Sequence, residues 1–239
     1  MPQPSRYVLA VAVASFLLAP ILSAQNQVPA SPATPERVII NFIVPIDSNS
    51  VNMLLSIVNG QVRNGVKKIT IVLSSPGGDT TAAFAAYNIL KNVPVEITTF
   101  NVGNIDSAAV LLYCSGKHRY SFPSPARFLI HGNALNLGAG VPLDYNFLDA
   151  ELQQIKSLNQ MVSQVVATIA PTKKAEIEQA VHGQTILSAE DAKAWGIVQE
   201  IRSTFMEPGA VFVSVNTPEE KKAFQYSVGP TISSGPIGQ

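Results

Sequence analysis

The chain reads as an α/β domain with a mainly parallel sheet and right-handed crossovers, and three observations lead there. Strand-like and helix-like segments alternate at short spacing along most of the sequence. The first two strand-like segments, Arg37 to Pro45 and Lys68 to Ser74, carry Val38, Ile39, Ile40, Phe42, Ile43 and Val44, then Ile69, Ile71, Val72 and Leu73. Runs this apolar suit strands covered on both faces rather than half-exposed ribbons. Caps and stops separate the segments: Asp47-Ser48-Asn49 before one apolar stripe, Pro94 after another, Ser188-Ala189-Glu190-Asp191 before a third.

In order, the first strand leads into a helix with Val51, Leu54, Leu55, Ile57 and Val58 on one side, ending near Gly65. The second strand runs into Ser75-Pro76-Gly77-Gly78-Asp79-Thr80. A helix from Thr80 to about Lys91 follows, with small residues that suit close packing on a sheet. Val95 to Phe100 is the third strand and feeds a glycine turn at Gly103. The turn opens a short buried helix over Val110-Leu111-Leu112-Tyr113-Cys114. Arg119 to Phe122 and Arg127 to His131 are short strands, and Gly132 to Gly140 is an extended loop. Leu143 to Ile169 is a long helix whose wide apolar stripe suits a subunit interface. Pro171 starts a short helix to about Val181. Ser188 caps a helix ending at Gly196, and Ile197 to Ile201 is the last strand.

The ends differ from this body. Arg6 precedes the almost wholly apolar Tyr7 to Leu22, with Ser23-Ala24 after it. That is the pattern of a secretory signal cleaved after Ala24. Leu22 is large for its place just before a cleavage site, so an uncleaved membrane anchor through residues 7–24 stays open. In both cases the body is expected outside the cytoplasm, secreted or periplasmic. The expected organisation is a signal or anchor over 1–24, a proline-rich linker over 25–36, the folded domain over 37–203, and a C-terminal extension over 204–239, disordered from Ser227.

Of the 239 residues, 16 are Lys or Arg and 16 are Asp or Glu, so net charge is zero and no electrostatic footprint for nucleic acid exists. The single cysteine, Cys114, excludes an internal disulfide and reads as a buried thiol. The three histidines lie far apart, so neither metal nor cofactor is expected.

Chemistry concentrates in three places. Ser107, in Gly103-Asn104-Ile105-Asp106-Ser107-Ala108-Ala109, lies where a strand turns into a helix. A hydroxyl there projects beside free helix N-terminal N–H groups, which can stabilise an oxyanion. The plainer alternative is that Ser107 caps the helix. Ser75-Pro76-Gly77-Gly78 is either a plain turn or a place where a ligand approaches the backbone closely. His131 ends a strand, either as a satisfied histidine or as a general base.

This ordered set, with Arg127-Phe128-Leu129-Ile130-His131, Leu187-Ser188-Ala189-Glu190 and Trp195-Gly196-Ile197-Val198, resembles the proteolytic subunit of the Clp serine protease family, within the wider crotonase-like fold. The likeness runs from Glu36 to Val198. It implies a ClpP/crotonase-like fold of repeated ββα units with a mainly parallel sheet and a long protruding helix. It also implies a Ser107 nucleophile, a His131 base, and an oxyanion hole made by the Gly78 and Ala108 N–H groups. Ser75, Pro76, Gly77 and Gly132 would bind substrate, a peptide or unfolded protein added as an extra strand. A homo-oligomeric ring is the expected assembly.

The chain departs from the family at the third triad member. Gln184 stands nearest the place of the family's aspartate, and Asp106 precedes the nucleophile where the family usually has a small neutral residue. Gln184 can orient the imidazole but supplies no full charge. Asp106 could cap the helix, orient His131, or oppose an oxyanion. Gly132 replaces the family's usual polar residue after the histidine. The expectation is a serine endopeptidase. The alternatives are a weak or inactive homologue that binds peptides or assembles, and a crotonase-like enzyme acting on an acyl thioester. A serine–lysine variant of the peptidase would need Lys68 or Lys117 near Ser107.

Overall fold

The computed structural model describes residues 35–135, 141, 143–215 and 225–227. The expected signal or anchor segment, residues 25–34 of the linker, residues 136–140 of the expected loop and the expected tail after Ser227 lie outside them, while Ser227 itself ends a strand. Among the described residues, no helix is long and apolar enough to cross a membrane.

Among the described residues, nine strands form one sheet: β1 (Arg37–Phe42), β2 (Lys68–Ser75), β3 (Glu96–Asp106), β4 (His118–Ser121), β5 (Arg127–Ile130), β6 (Thr185–Ser188), β7 (Glu200–Ile201), β8 (Val211–Val215) and β9 (Gln225–Ser227). The main order is β6-β5-β3-β2-β1-β8-β9, and β4 pairs with β3 and β7 off this path. All pairings are parallel except β5 with β6 and β8 with β9. The described residues also form six α-helices: α1 (Ser48–Arg63), α2 (Thr80–Asn92), α3 (Ala109–Cys114), α4 (Tyr145–Ile169), α5 (Lys174–Gly183) and α6 (Ala189–Trp195). The mainly parallel α/β architecture expected from the apolar strands is the one observed.

Local chemistry starts the helices where expected. Asp47 caps α1 through the Ser50 N–H at 2.7 Å, Asp79 caps α2, and Ser188 caps α6 in a reciprocal box with Asp191. The main core lies between the sheet and the helices, with Ile40, Ile69, Ile71, Ile97, Leu54, Leu111 and Phe128 buried. Helix α3 is wholly buried there. Burial pushes the Cys114 thiol up to about 12, which keeps it protonated and inert.

Three elements differ from the sequence reading. Strand β3 does not stop at Phe100 but continues through Gly103 to Asp106. Its first half pairs with β4 (Thr98 with His118) and its second half with β5 (Asn104 with Arg127), so the expected glycine turn is extended strand. Gly103 is needed there because a Cβ would lie 2.7 Å from Ser74 Oγ. Thr185–Ser188, between the helix expected to end near Val181 and the one capped by Ser188, forms an antiparallel edge strand. Ile201 does not end the last strand: Val211–Val215 pairs in parallel with β1, so part of the expected C-terminal extension joins the sheet.

Helix α4 is long and protrudes. Its buried residues, Val162, Ser163 and Val166, all lie near its C-terminal end. Tyr145, Leu148 and Leu152 on the earlier turns are 81%, 46% and 47% exposed.

Candidate active site

The first component is the turn after β2. Ser75 is buried and its Oγ accepts from the Gly77 N–H at 3.2 Å. Ile46 bridges to Gly78: the Ile46 N–H donates to Gly77 O and the Asp79 N–H to Ile46 O, both at 2.8 Å. In that parallel pairing the N–H and C=O of Gly78 itself point away from Ile46, toward the opposite, open side. Gly78 has φ +142°, and a Cβ there would collide with Ile46 O. A side chain is excluded, and an outward N–H is left exposed.

The second component is the corner at Ser107. Parallel pairing of Ser75 with Ile105, and of Asp106 with Leu129, brings the ends of β2, β3 and β5 together. Ser107 then turns at φ +55° while its N–H donates to Leu129 O at 2.8 Å. A non-glycine residue in the left-handed region stores roughly 1 kcal/mol or more, which the surrounding structure must hold in place. Gly77 sits directly behind the corner: its Cβ would lie 2.5 Å from Asp106 O, 2.7 Å from Ser107 Cβ and 3.0 Å from Ala108 N. The two turns are therefore in contact. Ala108 takes the N-cap place of α3 with no side-chain cap bond, so Ser107 does not cap the helix. Among the described residues, no protein acceptor takes the Gly78 or Ala108 N–H.

The third component follows β5. His131 is half-buried, one residue past the strand end, and its Nδ1 lies 2.6 Å from Gly132 O. A carbonyl oxygen only accepts, so in a neutral ring this contact calls for the proton on Nδ1, which leaves the Nε2 lone pair free. That is the tautomer a base for a hydroxyl must have.

Among the described residues, neither suggested third member hydrogen-bonds the ring. Continuing the β5–β6 register, in which Ile130 faces Thr185, sets Gln184 opposite His131. Gln184 is nonetheless exposed, ends α5 at φ +58°, and makes no side-chain bond among the described residues. Asp106 is 7% exposed and its Oδ2 accepts from Arg127 Nη2 at 2.9 Å and Asn104 Nδ2 at 3.0 Å. Its buried Oδ1 has no partner among the described residues. It neither caps α3 nor orients His131. Lys68 and Lys117 sit at the other end of the sheet: Lys68 pairs with Glu36, and Lys117 with Glu96 at the start of β3. The length of β3 separates them from Ser107, so neither Lys68 nor Lys117 can serve as the base of a serine–lysine variant.

Sequence reasoning missed Thr80, Asn133 and Asn159. Asn159 Oδ1 accepts from the Asn133 N–H at 2.7 Å and from Asn133 Nδ2 at 2.9 Å, and Thr80 Oγ1 donates to Asn133 Oδ1 at 2.6 Å. Asparagines in a polar loop and on a helix carry no periodic signal that would have revealed this.

Fold and site together define a mainly parallel α/β domain of crotonase type, with a strained serine corner, two backbone donors that no described residue claims, and a histidine, all at one end of the sheet. Comparison with known proteins narrows that class. A sequence profile of the Clp protease family matches residues 31–204, and the chain belongs to that family. It is 29% identical over 171 residues to the ATP-dependent Clp protease proteolytic subunit 4 of Streptomyces avermitilis, covering 71% of this chain and 74% of the relative. Against proteolytic subunit 1 of Thermobifida fusca it is 27% identical over 203 residues, covering 84% and 88%. A solved structure of a ClpP1 mutant from Listeria monocytogenes superposes with a TM-score of 0.62 at 20% identity, covering 71% of this chain and 92% of that one. That likeness establishes the shared fold.

Proposed function

We propose that the chain is a serine endopeptidase that hydrolyses peptide bonds in peptides or unfolded proteins, with Ser107 as nucleophile and His131 as base. The carrying observation is the convergence of the Gly77–Gly78 turn, the Ser107 corner and His131 at the ends of β2, β3 and β5. In this reading Ser107 Oγ attacks the scissile carbonyl carbon while its proton passes to His131 Nε2. The tetrahedral oxyanion takes the Gly78 and Ala108 N–H groups, which hold no competing bond among the described residues. Collapse breaks the C–N bond, and His131 returns its proton to the departing amine. Water then attacks the Ser107 ester with His131 again as base, releasing the acid and restoring the hydroxyl.

Substrate would bind as an added strand between the outward edge at Pro76–Gly78 and the extended segment from Gly132 to Leu135. The exposed apolar turns of α4 suit contact with a second copy of the chain, as in a homo-oligomeric ring. The apolar segment over residues 7–24 supports a place outside the cytoplasm.

A fluorophosphonate probe tests the chemistry. Adduct formation at Ser107 in folded protein, lost in Ser107→Ala and His131→Ala, is the expected result. A folded protein that resists the probe overturns the peptidase. The missing carboxylate at Gln184 favours a second reading, a peptide-binding homologue without turnover, which requires Ser107→Ala to leave every property unchanged.

A further inference from the structure

We propose that the group orienting His131 is the main-chain carbonyl of Gly132, held by a polar clamp of Asn133, Asn159 and Thr80, and that Gln184 has no part in it. This rests on the peptidase reading for its rate consequences, but the orientation itself is independent of turnover. The imidazole Nδ1 already has its acceptor, Gly132 O at 2.6 Å. A ring nitrogen carries one hydrogen, and a well-placed carbonyl satisfies it without help from a side chain.

The position of that carbonyl is fixed from several sides. Gly132 is pressed between α4 and α5: a Cβ would lie 2.7 Å from Val181 O and 2.8 Å from Asn159 Nδ2. The next residue is tied by three bonds. One amide oxygen, Asn159 Oδ1, accepts both the main-chain and the side-chain N–H of Asn133. Thr80, at the start of α2 and two residues after Gly78, donates to Asn133 Oδ1. The clamp therefore joins the turn that carries one oxyanion donor, the loop that follows the base, and the long helix. A shift of Asn159 would move the Gly132 carbonyl and release the Nδ1 proton from its acceptor.

The loss of the usual carboxylate then has a specific chemical consequence. A carbonyl dipole fixes the tautomer, but it stabilises the imidazolium less than a full negative charge does. Asn133, Asn159 and Thr80 are positioning residues that act through Gly132 O.

The test has two parts. Protein carrying 15N-labelled histidine reports by NMR which ring nitrogen of His131 is protonated in the neutral form, with His131→Gln providing the assignment. Protonated Nδ1 is expected. Protonated Nε2 overturns the proposal, whether or not Ser107 is reactive. Conversely, a Ser107 that resists fluorophosphonate beside a protonated Nδ1 would sink the peptidase reading and leave this orientation standing. In the second part, Asn159→Ala should slow Ser107 labelling about 10- to 100-fold, the cost of roughly an ångström of misplacement. Asn159→Asp keeps the acceptor oxygen and should restore most of the rate, while Gln184→Ala should stay within about two-fold of the parent. A loss in Gln184→Ala as large as in Asn159→Ala overturns the proposal. Should Asn159→Ala fail to fold, the ring protonation of the parent protein still decides.

Discussion

Gly77→Ala is the sharpest test of the corner. Two separate penalties act at this position. Its φ of +84° lies in the left-handed region, where an alanine costs about 1 kcal/mol. A methyl group would also sit 2.5 Å from Asp106 O and 2.7 Å from Ser107 Cβ, where ordinary contact begins at 3.4 Å. Relief requires the corner to retreat by roughly 0.9 Å, and overpacking of this kind costs about 1–3 kcal/mol. A displacement near 1 Å at a reacting group lowers rate by about 100-fold. Gly65→Ala supplies the control: Gly65 shares the same φ of +84° with nothing within 4 Å of the new methyl. Urea unfolding should therefore show about 1 kcal/mol lost in Gly65→Ala and about 3 kcal/mol in Gly77→Ala. Fluorophosphonate labelling should be unchanged in the first and slowed about 100-fold in the second. If Gly77→Ala labels at the parent rate while folded, the contact between the two turns does not hold the nucleophile.

Other consequences follow from single contacts. Arg127→Ala strands the buried Asp106 carboxylate; because Arg127 is part exposed the loss in urea unfolding should be about 2 kcal/mol, and adding Asp106→Ala should recover most of it. Cys114, buried with its thiol pushed up to about 12, should resist iodoacetamide at pH 8 in native protein and react fully in denaturant. Its neutral form is favoured by folding, so it contributes no loss of stability until pH rises past the ordinary thiol range. Replacing Leu148 and Leu152 together by serine should lower the mass found by light scattering while leaving circular dichroism unchanged, if the exposed face of α4 joins copies of the chain.

The central strands and their helices were legible because burial on both faces writes continuous apolar runs, as in Ile69 to Leu73 beside Val38 to Phe42. The three candidate site motifs stand out in the sequence because each is short and local. What was hidden depended on pairing. Gly103 and Asn104 have the composition of a turn, yet they extend β3 because Asn104 bonds Ser74 and the Ser75 carbonyl across the strand. Thr185–Ser188 is an edge strand that buries Leu187 and leaves Ile186 exposed, so no run marks it. Strand β8 carries the apolar run Val211-Phe212-Val213-Ser214-Val215, but the Pro, Gly, Ser and Lys around it drew the whole tail into one extension, and its partner β1 lies far away in sequence. The acceptor for His131 was sought among side chains near Gln184, where a charge would be visible in the sequence. A main-chain carbonyl leaves no such mark, and its support from Asn159 spans 26 residues.

The most direct measurement is a crystal structure of the protein inactivated by a peptidyl phosphonate. Phosphorus bonded to Ser107 Oγ, a phosphoryl oxygen within hydrogen-bond distance of both the Gly78 and Ala108 N–H groups, and His131 Nε2 beside the adduct is the predicted result. Phosphorus on any other residue, or a phosphoryl oxygen turned away from those two amides, would contradict it.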